Sequence, residues 1–506
     1  MSKIFKISCR GSWLSMAQAN LFIQKARGVD PSLQFEIVVR ESAGDKNLST
    51  PLHLLEGKDF FTKAIQEALH EGKADFAVHS MKDVGSPDFF ANSIFGVIDR
   101  DDPRDVAVFN PDVLERIADG HTIRMGTSSP RRAAMAMDFL HKALPVVADN
   151  AAKLEALSIR GNVERRLEQL SSGSYDGVVL AAAGLNRLLR HPDAKEHVSG
   201  LLFGKKKMIL PLIECTPATG QGAIVAEAVA ENKDAVALLR RITDKDITAD
   251  IQTERKFAAD HGHGCSQAFG AVKVNLADGA GFTYLSGLNS DGSHFSEWHS
   301  DFSAINEDWN IFSTTDYMKD FFGYSFSEKY PEIKEEAVFV ASHKILQVDG
   351  ISDMLQTKKV WAAGTKTWFA LSKTGIWVEG CADGLGLQNI ETNLSSPLIS
   401  IQKQHLHIIT NSHSALNWQK EGYLASGLYV LQPNLSTKIV DKLKVADAVF
   451  WTSYQQFLHY GLDVKSNAKH ICLPGKTARL LREQGITPIV IPAIKAFNAW
   501  RVKNIP

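Results

Sequence analysis

In the stretch "DFFTKAIQEALHEG", Phe61, Ile65 and Leu69 recur every fourth residue and Gly72 comes after them. That spacing predicts an amphipathic helix with a glycine stop. The next segment, "ADFAVHS", is a short apolar run and predicts a buried strand. "YDGVVLAAAGL" predicts another, running into a turn. Such segments alternate through residue 240, so the expected fold class is α/β with mainly parallel sheets. Ligands of such folds collect beyond the carboxyl ends of the strands.

Two breaks in the pattern suggest crossings between lobes: "RDDPRDVAVF", Arg100 to Phe109, and the region of "TPATGQGAIVAEA". They imply one domain from 1–102 with 222–242, and a second from 105–218. Residues 245–300 change character. A helix around Thr253 to Ala259, a glycine-rich turn and the strands "AFGAVKVNL" and "GFTYLSGL" suggest a small α+β domain. Residues 301–335 are aromatic-rich without a period and are expected to be a linker with some helix. The remainder, 336–506, holds an internal repeat. "AVFVASHKILQ…KKVWAAGTKTWFALSKTGIWVEG" parallels "AVFWTSYQQFLHYG…KHICLPGKTARLLREQGITPIVIP". Each unit reads strand, Ser-containing turn, helix, strand, Gly-x-Thr turn, helix, strand, which suggests two lobes with a cleft between them.

The 506 residues carry 56 basic and 57 acidic side chains, so no whole-chain signature for binding nucleic acid exists. No apolar run approaches a membrane span, and "MSKIFKISCRGSW" lacks the apolar core of a signal peptide. The five cysteines are scattered, which fits a reducing cytoplasm better than a disulfide framework.

Chemistry is therefore sought in local clusters. "AVHSMKDVG" places His79, Ser80, Lys82 and Asp83 just past a buried strand, where Asp83 could hold a cation or act as acid or base. A solvated turn is the plain alternative. In "MGTSSPRRAAMA", Ser129 can cap a helix that Pro130 opens, leaving backbone NH groups and the Arg131 and Arg132 forks for an anion. The alternative is a capped helix with an exposed Arg pair. In "IRGNVERRLEQL", Arg160 ends a strand and Val163, Leu167 and Leu170 form a buried stripe. Arg166 falls beside that stripe, whereas Arg165 points away. Arg187, Arg10 and Ser12 also stand at predicted strand ends. Several such cations together imply a ligand with many carboxylates or phosphates. "PGKTARLL" lacks the glycine that a phosphate-binding P-loop needs five positions earlier, since residue 470 is His. In "HGHGCSQAFG", Cys265 could be a metal ligand with His261 and His263, a redox thiol, a nucleophile or a turn residue.

Taken in order, "SCRGSWLSMAQAN", "GKDFFTKAIQEAL", "GKADFAVHSMKDV", "DRDDPRDVAVF", "MGTSSPRR", "IRGNVERRLEQL", "YDGVVLAAAGLNRL", "PATGQGA" and "HGHGCSQAFG" resemble the porphobilinogen deaminase family over roughly residues 4–275. The resemblance implies two lobes like those of periplasmic solute-binding proteins and a third domain whose cysteine carries a dipyrromethane cofactor. It implies an enzyme that joins four porphobilinogen units into hydroxymethylbilane with loss of ammonia; the chain is expected to be a cytoplasmic monomer with no metal, nucleic acid or membrane partner. By position it assigns the cofactor to Cys265 and the catalytic carboxylate to Asp83. Acetate and propionate binding falls to Arg10, Ser12, Lys82, Thr127, Ser129, Arg131, Arg132, Arg160, Arg166 and Arg187, and a covering loop to Lys58 and Phe61. This sequence departs from the family at Leu54, where Lys is usual, at "GKDFF" and "KDVG", and at His261 and His263.

The C-terminal repeat is similar, over about 337–492, to uroporphyrinogen-III synthase, a bilobal family that closes hydroxymethylbilane into a macrocycle. By analogy Ser453, Tyr454 and Thr477 would line its cleft. That family opens with an additional strand–helix–strand, for which this chain leaves little room before "AVFVASHK".

Overall fold

The computed structural model describes residues 3–40, 62–84, 89–261, 268–276, 281–300, 305–317, 320–434 and 436–504. The chain divides into two compact units. The first comprises Met1–His141, Val147–Lys273 and Leu285–Phe295; the second comprises Lys142–Val146, Val274–Tyr284 and Ser296–Pro506.

The first unit contains two five-stranded sheets. In one, Ile4–Arg10 lies parallel to both Gln34–Arg40 and Phe76–Ser80. In the other, Thr122–Gly126 lies parallel to Lys153–Leu157 and Gly177–Ala181. The helix foreseen before "ADFAVHS" runs Lys63–His70, and its Ile65 and Leu69 pack with Ala77. Burying each of those side chains contributes about 1.5–3 kcal/mol. Phe61 lies outside the described residues.

The sheets are not wholly parallel. Ala223–Ala228 runs antiparallel to Phe76–Ser80 and Ile94–Arg100, and Asp105–Phe109 runs antiparallel to Gly177–Ala181 and Lys206–Ile209. These are the strands on the far side of the two expected crossings. The crossings bond to each other: Asp101 N donates to Gly222 O at 3.0 Å. Gly222 has φ +85°, and a Cβ there would run into the Asp101 carbonyl, so only glycine serves. Beside them Arg104 forks onto Asp102, with Nε–Oδ1 2.9 Å and Nη2–Oδ2 2.7 Å, both buried.

The helix Lys245–Asp260 brings the fully buried Glu254 to this region. Its carboxylate pairs with Arg100 Nη1 at 2.7 Å and accepts from Gly220 N and Lys273 N, each at 2.8 Å. A carboxylate with three donors, one cationic, is stabilised at zero exposure. Beyond it, Phe269–Asn275 and Gly281–Leu288 form the two expected strands, and His294–Ser300 adds a third that the sequence pattern does not predict.

The second unit contains a six-stranded and a four-stranded sheet. The two copies of the repeat lie in different sheets. Ala337–Val340, Lys359–Ala362 and Val378–Cys381 belong to the first, and Ala448–Trp451, Lys469–Cys472 and Ile489–Val490 to the second. The segment 301–335, expected to be a linker, supplies a strand to each. Ile311–Ser313 pairs parallel with Ala448–Trp451, and Phe322–Phe326 pairs antiparallel with Leu424–Pro433. Phe312, Phe321 and Phe322 are buried in or beside these strands, which are too short to show a period. No helix among the described residues is long and apolar enough to cross a membrane.

Candidate active site

A cavity of about 70 Å³ opens at the carboxyl ends of Ile4–Arg10 and Phe76–Ser80, lined by Arg10, Ser12, His79, Ser80, Lys82 and Asp83 among others. Ser12 caps the helix Trp13–Val29, accepting from Ser15 N at 3.3 Å. That fixes the turn carrying Arg10, whose N donates to Ser15 Oγ at 3.0 Å. Lys82 and Asp83 sit in the 3-10 turn Met81–Asp83, both half-buried, so this is not a solvated strand end. Lys82 Nζ reaches Gln221 Oε1 at 3.4 Å. Burial, together with the nearby Arg132 and Arg131 charges, lowers Lys82 to about 8, against the opposing pull of Asp83 and Asp105.

The helix of "MGTSSPRR" begins at Pro130, with Arg132 N lying 3.5 Å from Ser129 Oγ. Thr127 is buried and its Oγ1 accepts from Ser129 N at 3.3 Å. The helix then widens into a π turn over Arg132–Ala136, a distortion frequent at functional sites. The Arg pair is not exposed. Arg131 Nη2 binds Asp105 Oδ2 and Arg132 Nη2 binds Asp105 Oδ1, each at 2.8 Å, with the carboxylate fully buried. Arg131 also donates to Thr216 O at 2.8 Å and Arg132 to Val179 O at 3.1 Å. Burial alone would raise Asp105, but the two guanidinia outweigh it and hold the carboxyl well below the usual range. Gln221 completes the set, donating to Asp105 Oδ1 at 2.9 Å. Neither Asp105 nor Gln221 stands out in the sequence, although both lie inside motifs that carry the family resemblance.

On the helix Val163–Ser171, capped by Asn162, the buried positions are Glu164, Leu167 and Leu170. Leu167 and Leu170 are buried as expected, but Val163 is only half-buried and Glu164 takes the first buried position. Arg165 is exposed and Arg166 is not, as the helical angle implies. Arg166 Nε donates to Gly161 O at 2.9 Å. Burial, then Arg132 and Arg160, lower Arg166 to about 10, opposed by the Asp83 charge. Arg187 is drawn to the crossing instead: its Nη2 donates to Gly222 O and lies 3.8 Å from Asp99.

Cys265, Lys58, Phe61, Leu54 and His263 lie outside the described residues. The His261 ring stacks on Phe295 at 5.7 Å and 6°, and its Nδ1 lies 2.8 Å from Phe257 O. Among the described residues no group of three or more His, Cys, Asp and Glu could hold a metal ion. In the second unit, Ser453 caps Tyr454–Tyr460 in a capping box with Gln456. Thr477 is the second residue of the helix Lys476–Glu483. Burial, and then the charge of Glu483 on that helix, raise Tyr454.

The model of the porphobilinogen deaminase family, dipyrromethane cofactor-binding domain, matches residues 5–237. The probable porphobilinogen deaminase of Pyrobaculum neutrophilum is 35% identical over 280 residues, covering 55% of this chain and 86% of that protein. The porphobilinogen deaminase of Chromobacterium violaceum is 37% identical over 298 residues, 58% of this chain and 86% of that protein. The chain belongs to the porphobilinogen deaminase family. Among solved structures it is similar to the effector-binding domain of BenM (TM-score 0.26, 15% identity, 51% of this chain and 93% of that one), a likeness too slight to add to the assignment.

The deaminase cofactor is a dipyrrole bearing carboxylates, and the described residues fit such a group. Lys82 and Arg166 are each lowered by burial and by neighbouring cations. Cations crowded against one another in a cleft are relieved by an anion of several charges.

Proposed function

We propose that this protein condenses porphobilinogen into hydroxymethylbilane with loss of ammonia, and that its C-terminal repeat closes that product into uroporphyrinogen III. The observation that carries the first part is Asp83 lining one small cavity with Arg10, Ser12 and Lys82, within the field of Arg166. The dipyrromethane, held through Cys265, supplies the primer to which pyrroles are added. Arg10, Lys82, Arg160 and Arg166 bind acetate and propionate groups. Ser12, Thr127 and Ser129 shape the turns that present them. Arg131 and Arg132 act through Asp105, which fixes their forks at the edge of the site, and Arg187 holds the crossing. Lys58 and Phe61 belong to the loop that covers the cleft.

As the aminomethyl group loses ammonia, positive charge develops on the pyrrole. The Asp83 carboxylate stabilises that charge. It then accepts the proton lost from the ring carbon at which the new bond has formed. The second part rests on the repeated strand–Ser-turn–helix–strand units in two sheets, with Ser453, Tyr454 and Thr477 at the helix starts that follow strands of the second copy.

Two measurements test these parts separately. The intact mass of the purified protein exceeds its sequence mass by a dipyrrole, and Cys265→Ser removes the excess. Sequence mass alone, with no turnover of porphobilinogen, rejects the deaminase reading. The uroporphyrinogen isomer formed tests cyclisation: isomer III supports it, and isomer I alone, the product of unassisted closure, means the C-terminal unit is an inactive extension.

A further inference from the structure

The chain between the strands Val378–Cys381 and Leu406–Asn411 holds no strand of its own. Its short helix Glu391–Leu394 runs into a loop that closes on itself. Ile401 N donates to Leu394 O at 2.8 Å, and Ser400 takes a left-handed φ of 58°, costly for a residue other than glycine. This segment, with Tyr423, walls a cavity of about 290 Å³.

The cavity is remote from the turns of the repeat. Leu406, in its wall, opens one strand, and Tyr423 directly precedes the parallel strand Leu424–Pro433. The cavity therefore lies at the amino ends of these strands. The Ser-containing turn at Ser342 follows the carboxyl end of Ala337–Val340, which is parallel to Leu406–Asn411. The two features stand at opposite ends of one sheet.

Two polar groups in the cavity wall lack partners. Tyr423 is 4% exposed, and its hydroxyl has no hydrogen-bond partner among the described residues. Glu391 Oε1 is likewise sealed from solvent without one. A buried donor or acceptor left unmade raises the free energy of the fold, and most of all when the group is charged. A ligand that reaches both removes that penalty. The third polar group is Lys403. Its Nζ donates to Glu421 O at 3.1 Å and lies 4.1 Å from the Tyr423 ring centroid, which leaves further N–H groups for an anion. Leu394, Ile401 and Leu406, all buried, add apolar surface to the wall.

We propose that this cavity binds a free aliphatic amino acid. Its ammonium pairs with Glu391, its carboxylate with Lys403 and the Tyr423 hydroxyl, and its side chain packs on Leu394, Ile401 and Leu406. The wall carries both signs of charge, so a ligand with both is required. A simple amine leaves Lys403 unused, and a simple acid leaves Glu391 unsatisfied. The volume is about ten times one water molecule's share of the liquid, which suits an amino acid and is too small for a tetrapyrrole. The site depends on neither deamination nor cyclisation.

Equilibrium dialysis of the full-length protein against L-leucine, isovalerate and isoamylamine tests the site, the last two lacking the ammonium and the carboxylate. Leucine binds, and each half-charged analogue binds about tenfold more weakly or worse, as expected for one lost charge-assisted hydrogen bond. Glu391→Gln weakens leucine about tenfold and leaves isovalerate unchanged. Tyr423→Phe gives a second, independent readout. Without ligand it raises the melting temperature, because a buried hydroxyl without a partner is removed, and yet it weakens leucine. No binding of leucine, or isovalerate binding as tightly as leucine, overturns the proposal. Leucine binding unaltered by both variants also overturns it, since the amino acid then sits elsewhere. A melting temperature lowered by Tyr423→Phe does the same, because the hydroxyl is then satisfied within the fold. Porphobilinogen turnover and the isomer formed are unchanged in both variants, so this site and the proposed activities fail in different measurements.

Discussion

His79 Nε2 lies 2.8 Å from Glu227 Oε1, with neither side chain exposed. The same carboxylate accepts from Ser93 Oγ at 2.5 Å and Gln66 Nε2 at 3.2 Å. It gathers the strand Phe76–Ser80, the helix Lys63–His70 and the approach to Ile94–Arg100 behind the cavity that His79 and Asp83 line.

Breaking that pair leaves a buried group without its partner. Glu227→Ala is expected to cost about 1–3 kcal/mol in urea unfolding, the cost of leaving buried donors unpartnered. A loss within about 0.5 kcal/mol would show that the pair contributes little.

Asp105 is the shared anchor of Arg131 and Arg132. Asp105→Asn leaves two buried guanidinia without their counter-charge, so stability falls and porphobilinogen turnover falls with it. The sign of the pH effect is set by the lowered carboxyl. Its contribution is present above the unfolded carboxylate pKa and is lost as pH falls through the folded one, so the wild type loses stability in acid. In Asp105→Asn that acid limb flattens, which thermal unfolding from pH 7 to pH 3 would reveal.

Lys82 at about 8 supplies a second pH signature. Carboxylate binding needs the charged amine, so the KM for porphobilinogen rises as pH passes about 8. Lys82→Gln raises KM about tenfold at pH 7, the size of one charge-assisted hydrogen bond, and removes the alkaline rise. An identical alkaline limb in the variant would assign the titration to another group.

Asp83→Ala is expected to lower kcat by about 10²–10⁴, the usual range for losing a charge-stabilising or proton-transferring side chain. Arg166→Ala weakens turnover, whereas Arg165→Ala, on the exposed face of the same helix, stays near wild type. Equal losses at 165 and 166 would undo the helix-face argument.

Much of this site is legible in the sequence because it is local. Ser12, Asn162 and Ser453 cap helices where short polar residues precede a helical pattern, and the strand-end cations stand directly after apolar runs. Asp105 escapes because it stands at the start of a buried strand, 26 and 27 residues from the arginines it pairs with. The His79–Glu227 pair spans 148 residues, beyond any periodicity. In 301–335, strands as short as Ile311–Ser313 leave too few residues to show an alternation.

The sequence by itself determined many of the strands and helices before residue 290 and the order of motifs that marks the family, because caps, turns and apolar periods act over a few residues. The tertiary structure decided which cations face a ligand and which are neutralised inside. Arg131 and Arg132 look like free forks along the chain but close on Asp105, while Lys82 and Arg166, less conspicuous in sequence, crowd near Asp83. The physical reason is that ion pairing depends on distance and burial, and both are set only when strands remote in sequence come together.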